Sequence, residues 1–375
     1  TLFRSGAGRR PAVTLRNYLV LIAVGAIVTV LVTPLVRRLS LRLGLVDRPG
    51  GRKVHTEPIS RLGGVAIFAG VMAAVLAQLA GERLLAWPGA FFDGMTAGVS
   101  LLGVFVGLVI MFGVGLLDDL YDLSPGFKLS GQVVAALIVA TSGLRIEFVG
   151  DPVGGGLVLL GLLSIPVTVL YLVGFANVIN LIDGLDGLAA GVTAIAAMSL
   201  LLLAAQGNRF DAAALAAAVI GACLGFLRFN FNPASIFMGD SGAMFLGFTL
   251  ATVSLLGVMK TTAAIALAVP LLIIGVPIFD TASAIVRRLR HRRPIQEADK
   301  GHIHHRLLVR GFDQRQTVII IYIWSVALSV GGYTVRHAAG PVKLIALVTL
   351  FAVTAAMAHW LGLYEAAHHH DEEGA

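Results

Sequence analysis

Residues 97–122 read AGVSLLGVFVGLVIMFGVGLLDDLYD. The first 21, through Leu117, carry no charged side chain, and the next two are Asp118 and Asp119. About 20 apolar residues in helical form span the hydrocarbon of a bilayer. This stretch therefore reads as a membrane-crossing helix whose acids stand where the hydrocarbon ends. Outward from it, comparable runs fall near 18–36, 62–80, 129–143, 157–174, 187–205, 211–228, 241–259, 262–285, 316–334 and 341–361. The expectation is an all-α, polytopic integral membrane protein of about eleven transmembrane helices. It forms one transmembrane catalytic domain over residues 1–375, with flexible tails at 1–17 and 363–375.

Composition agrees with this reading. Of 375 residues, 57% are hydrophobic and 13% charged, with a mean hydropathy of +0.88. A soluble domain runs at about 45–50% apolar, glycine included, and about 25% charged, so a soluble multidomain enzyme and a disordered or fibrous chain are both excluded. The run at 18–36 is too long for a signal-peptide core and lacks a small-residue cleavage site, so it reads as an anchor that stays. The chain starts at Thr1, and we expect its first dozen residues not to be the native start. Cys223 is the only cysteine, which excludes an intrachain disulfide and argues against redox chemistry. Between the fourth and fifth runs, LRIEFVGDPVGGGLVLL at 144–160 has the alternation and turn residues of a small hairpin without catalytic character. No internal repeat is visible, which weakens an inverted-repeat transporter reading.

The net charge is +7, and its distribution matters more than its size. Nine Lys and Arg lie between Arg287 and Arg315. With the amino end outside, the loops after the odd-numbered helices hold 18 of the 28 cationic side chains and the even-numbered loops hold six. The positive-inside rule then puts the odd loops and the carboxyl tail in the cytoplasm. No soluble domain offers a nucleic-acid surface. The basic segment either marks topology against anionic lipid or holds an anionic substrate.

The polar residues foreign to a membrane protein fall in those same loops. They are VDRPGGRKVHTEPISRLGG at 46–64, with Asp47, Arg52, Lys53 and His55; GLLDDLYDLSPGFKLSGQ at 115–132, with Asp118, Asp119, Asp122 and Lys128; NVINLIDGLDGLAAG at 177–191, with Asn177, Asn180, Asp183 and Asp186; RFNFNPASIFMGDSG at 228–242, with Asn230 and Asp240; and RRLRHRRPIQEADKGHIHHRLL at 287–308, with Arg288, His302, His304 and His305. Five such motifs on one membrane face imply one composite site. Asp118 and Asp122 share a helix face, and repelling carboxylates at a bilayer boundary are costly unless a cation joins them. An aspartate before a helix is also a good N-cap, but one cap explains one of Asp183 and Asp186, and Asp240 is ambiguous for the same reason. His302, His304 and His305 lack the partners of a closed zinc site, and among nine cations a phosphate-binding role fits better. Carboxylates that hold Mg²⁺ and a basic loop that neutralises a diphosphate describe phosphoryl transfer. At a membrane face, one substrate is a lipid and the other soluble.

From about Asp47 to Leu307 the five motifs, in order, resemble the polyprenyl-phosphate N-acetylhexosamine-1-phosphate transferases, relatives of the phospho-N-acetylmuramoyl-pentapeptide translocase. The resemblance implies Mg²⁺-dependent transfer of a sugar-1-phosphate from a UDP-sugar to undecaprenyl or decaprenyl phosphate with release of UMP, Mn²⁺ being a substitute metal. It starts cell-wall or surface glycopolymer synthesis at the bacterial cytoplasmic membrane. Asp122, where the translocase pattern has Lys, and HIHH in place of three consecutive His resemble the branch that uses UDP-N-acetylglucosamine, as do Asp47 and the RKVH segment. By the same resemblance, Asp240 and Asp183 hold the metal, with Asp186 at the diphosphate end. Asp118 is the base or activator for the lipid phosphate, with Asp119 beside it. Asp47, Lys53, His55, Asp122, Lys128, Asn177, Asn180, Asn230, Arg288, His302, His304 and His305 contact substrate. The partners implied are UDP-N-acetylglucosamine, the polyprenyl phosphate and the membrane, with a homodimer left open. The alternatives are the pentapeptide translocase itself and an ion-coupled transporter.

Overall fold

A computed structural model describes residues 15–47, 59–91, 98–150, 157–258, 268–290, 302–338 and 340–363. The chain is a bundle of helices with two small hairpins, in the order α1 (Leu15–Leu43), β1 (Val46–Asp47), β2 (Ile59–Ser60), α2 (Gly63–Leu84), α3 (Leu101–Tyr121), α4 (Pro125–Thr141), β3 (Phe148–Gly150), β4 (Leu157–Leu159), α5 (Ser164–Ile182), α6 (Leu188–Gln206), α7 (Phe210–Asn230), α8 (Gly239–Val258), α9 (Ala268–Ile273), α10 (Gly275–Arg290), α11 (Ile303–Val309), α12 (Gln314–His337) and α13 (Gly340–Trp360). Among the described residues nine helices are long and apolar enough to cross a membrane. The all-α polytopic class stands.

The expected count of eleven spans is not reproduced. α4, at 17 residues, is shorter than those nine. The run at 262–285 is two helices over its described part, broken at Ile274. Pro277 has no N–H to give to the carbonyl of Ile273, so the ladder is interrupted there. The tail boundaries also move. Asn17 is buried where α1 packs on α2 and α7, and Leu363 is buried beside α10. The expected hairpin at 144–160 forms from β3 and β4, paired antiparallel with Val149 opposite Val158. The span expected at 157–174 instead starts at Ser164 and runs on through Asn177 and Asn180 to Ile182.

α7 and α8 are the innermost helices. α7 reads FDAAALAAAVIGACLGFLRFN, and its small side chains let α1, α2 and α6 approach closely, as in membrane bundles generally. α8 lies against α3 and α5. Close approach is required at Gly115, where a Cβ would stand 2.6 Å from the Cα of Ser241. Exposed Leu31, Leu35, Leu344, Ile345 and Phe351 on α1 and α13 are ordinary for surfaces bathed in lipid.

Candidate active site

The carboxyl ends of α3, α5 and α7 and the amino ends of α4, α6 and α8 meet at one end of the bundle. Two loops knit that end together. Ser60 of β2 accepts from Phe237 N (2.8 Å), and Gly63 and Gly64 donate to Phe237 and Met238 (2.9 and 2.8 Å). Asp47, paired with Ile59 across β1 and β2, is thereby tied to the segment that leads into Asp240. Lys53 and His55 lie outside the described residues.

At the centre, Lys128 Nζ stands 2.9 Å from Asp118 Oδ2 and 3.0 Å from Asp240 Oδ2. The other oxygen of Asp118 accepts from Leu123 N at 2.9 Å, and the other oxygen of Asp240 accepts from the Asn180 amide. Four helices thus deliver one cation, two carboxylates and one amide to a single point. The lysine keeps the two acids together, because like charges there repel unless a cation lies between them. Asp122 ends α3 in the left-handed region at φ 46°. Its exposed carboxylate pairs with Arg61 at 3.2 Å.

Asp119 does something different from its neighbour. It is 3% exposed, and its carboxylate accepts from Asp240 N (2.8 Å), Ser241 N (3.0 Å) and Ser241 Oγ (2.5 Å). It caps α8 from another helix, supplying the acceptor that first-turn amides lack. The approach requires glycine at 239, where φ is +67° and a Cβ would meet Asp119 oxygens at 2.6 Å.

Asp183 caps the end of α5 and is half-buried. Desolvation, followed by the charges of Asp240, Asp119 and Asp186, pushes its carboxyl up to about 8. This is an acid short of positive charge. Asp186 instead accepts from Asn232 Nδ2 and Ala234 N, both at 2.9 Å. Asn230, 2% exposed, accepts from Gly187 N (3.1 Å) and donates to Ile236 O (2.9 Å). Asn177 exchanges hydrogen bonds with Gln132, the shorter being 2.7 Å, and donates to Val173 O. The amides of Asn177 and Asn230, both expected at the substrate, bond within the protein in this structure and brace it. The same holds for Asp119, whose lone pairs face α8.

The histidine turn sits above Asp183. His304 is 2% exposed, and its ring rests on Gly184, so that a Cβ there would stand 2.5 Å from His304 Nε2. Burial, then His305, holds the imidazole down to about 3. The ring is therefore neutral near pH 7. His305, half-buried, lies 4.3 Å away, centroid to centroid. His302 bonds Asp280, a residue with no motif around it in the sequence. Arg288 is half-buried at the end of α10, beside Arg287, whose guanidinium donates to the carbonyl of Leu363 (2.8 Å).

The carboxylates that could turn to a hard cation are Asp183 and Asp240, the second held here by Lys128 and Asn180, with Asp118 nearby. Among the described residues no three such groups form a ready metal cage. Mg²⁺ is commonly held by one or two carboxylates plus substrate phosphates, and the donor set suits that arrangement.

Residues 101–258, which carry most of these groups, match glycosyl transferase family 4. Over 340 residues the chain is 38% identical to a probable undecaprenyl-phosphate N-acetylglucosaminyl 1-phosphate transferase of Bacillus subtilis (strain 168), covering 91% of each. The chain belongs to the polyprenyl-phosphate N-acetylhexosamine-1-phosphate transferase family. Within that family it is also 37% identical, over 84% of its length and 82% of the relative's, to a decaprenyl-phosphate N-acetylglucosaminephosphotransferase of Mycobacterium tuberculosis (strain ATCC 25618 / H37Rv). It is 28% identical, over 79% and 78%, to an undecaprenyl-phosphate alpha-N-acetylglucosaminyl 1-phosphate transferase of Yersinia pestis.

Proposed function

We propose that this family member transfers N-acetylglucosamine-1-phosphate from UDP-N-acetylglucosamine to a polyprenyl phosphate, releasing UMP, on the cytoplasmic face of the bacterial inner membrane. One observation carries the reading: Lys128, Asp118, Asp240 and Asn180, from four helices, converge at the bundle end that also holds Asp183 and the histidine turn. The names of the relatives supply the substrates.

An oxygen of the lipid phosphate attacks the phosphorus that bears the sugar. A new phosphorus–oxygen bond forms, the bond to the bridging oxygen breaks, and UMP leaves with that electron pair. A phosphate monoester is largely ionised near neutral pH, so deprotonation is the smaller task. The larger one is to hold two anions in line. Asp240 and Asp183 would hold a Mg²⁺, or Mn²⁺ in its place, which when bound neutralises the diphosphate. Lys128, anchored by Asp118, supplies a fixed positive charge, and Arg288 a planar fork suited to phosphate oxygens. His304, being neutral, offers a ring nitrogen without adding charge.

The test supplies membranes containing the protein with polyprenyl phosphate and either UDP-N-acetylglucosamine or UDP-N-acetylmuramoyl-pentapeptide. Mass spectrometry then identifies the lipid product. Lipid-linked N-acetylglucosamine with one UMP released is the expected outcome. A muramoyl-pentapeptide lipid in its place would assign the protein to the translocase branch.

A further inference from the structure

We propose that Asp280, midway along α10, is the positioning residue of the histidine turn, an inference that rests on the proposed transfer reaction only for its kinetic readout. Asp280 is 2% exposed. Its Oδ2 lies 2.9 Å from His302 Nδ1, and its Oδ1 accepts from Ile303 N at 2.8 Å. One carboxylate therefore performs two operations on one turn.

The first concerns the backbone. His302 stands at the N-cap of α11, and its own side chain makes no capping bond. Asp280 supplies the missing acceptor to Ile303, the first helical residue, from a different helix. The second concerns the ring. A carboxylate oxygen accepts, so Nδ1 of His302 carries the hydrogen of this bond and Nε2 points away from Asp280. The ring planes of His302 and His304 are parallel to within 5°, with centroids 5.7 Å apart. Fixing His302 thus fixes the plane beside it, and the His304 ring rests on Gly184, next to Asp183. A sequence 22 residues away from His302 thus sets where the imidazoles stand, through the same kind of carboxylate–histidine support that orients rings in metal sites.

Asp280→Asn separates the two operations. The amide oxygen still caps Ile303, but it no longer offers a charged acceptor to Nδ1–H. Asp280→Ala removes both. The readouts are steady-state kinetics for each substrate, thermal unfolding in detergent, and the ring-¹⁵N spectrum of histidine-labelled protein, with His302 assigned by its loss in His302→Gln. For Asp280→Asn we expect an unfolding temperature close to wild type and a kcat/KM for the UDP-sugar lower by about 10- to 100-fold. The KM for polyprenyl phosphate should be unchanged, and His302 should leave the Nδ1-protonated form. Adding His302→Gln to Asp280→Asn should cost little more, because the two act in series. Unchanged kinetics and an unchanged His302 spectrum in Asp280→Asn would overturn the proposal. So would equal losses toward both substrates accompanied by a lower unfolding temperature, the mark of a merely structural role. A wild-type protein without transfer activity would count against the reaction, while the spectrum would still decide the role of Asp280.

Discussion

Within one motif the two aspartates at 118 and 119 have opposite employment. Asp118 faces a lysine and Asp119 faces backbone amides, and a helical step of 100° between neighbours is enough to separate them. In the proposed reaction Asp240 and Asp183 are the two acids that would hold the metal. Asp240→Asn should lower transfer by about 100-fold or more, since an amide is a weaker, neutral ligand for a hard cation and metal stabilisation is worth several kcal/mol. Initial rates over a Mg²⁺ series test this, and near-native turnover at ordinary Mg²⁺ would remove Asp240 from the metal site. Asp183 gives a sharper signature. With its carboxyl pushed up to about 8 by burial and neighbouring acids, it is mostly protonated at pH 7 in the metal-free protein. Its ordinary value is about 4, so the sign follows: the metal-free fold is favoured while Asp183 keeps its proton and weakens as pH climbs through about 8. A cation reverses this by expelling the proton. Calorimetric Mg²⁺ titrations in buffers of different ionisation enthalpy should show about one proton released per metal at pH 7, far less at pH 9.5, and none at either pH in Asp183→Asn.

A helix here is often finished by a residue from another helix. Asp119 on α3 caps α8, Asp280 on α10 caps α11, and Asp186, before α6, holds the backbone of Ala234 ahead of α8. Asp119→Ala should therefore act as a lost cap. We expect about 0.5–2 kcal/mol of destabilisation, visible as a fall in unfolding temperature in detergent, together with a fall in kcat because Asp240 is the first residue held by that cap. Asp119→Asn, which keeps one acceptor oxygen, should lie between. A full-stability, fully active Asp119→Ala would refute the cap. This cross-capping also explains how far the sequence could be read. Apolar runs and charge punctuation predict the helices, and five polar motifs at run ends predict that Asp118, Asp183 and Asp240 meet, because those signals are local. What a carboxylate points at is not local. Asn230, expected at the substrate, and Asp119, expected beside the base, bond inward in the structure, while Asp280 lies in PIFDTASAIVRRLR with no second charged residue before Arg287 to draw attention to it. The parting of α9 and α10 at Ile274 does have a signal in the sequence, the missing N–H of Pro277, which the continuous apolar run at 262–285 outweighs.

At the scale of the whole molecule, the described part of the basic segment holds the last helix. Arg287 and Arg306 donate to the carbonyls of Leu363 and Leu361, at 2.8 and 3.4 Å, and Arg310 bonds the carbonyl of Trp360 while lying 4.7 Å over its ring. Cations at the carboxyl end of α13 offset its dipole and dock the last helix beside the histidine turn. The same contacts place the carboxyl end of α13 at the bundle end that carries the site, as an odd number of crossings from an outside amino end requires. In the proposed function that end faces the cytoplasm, and positive charge should be what holds it there. Single cysteines in a Cys223→Ala background test this directly, because Cys223 is buried and its loss removes the only native thiol. Tyr121→Cys, at the end of α3, and Val309→Cys, at the end of α11, replace exposed residues at the site end; Leu85→Cys, after α2, replaces an exposed residue at the opposite end. In intact cells an impermeant maleimide should label Leu85→Cys alone, and in inverted vesicles it should label Tyr121→Cys and Val309→Cys. Labelling of either site-end cysteine from outside would break the single cytoplasmic site, since α3 and α11 reach it through contacts that leave no membrane between them.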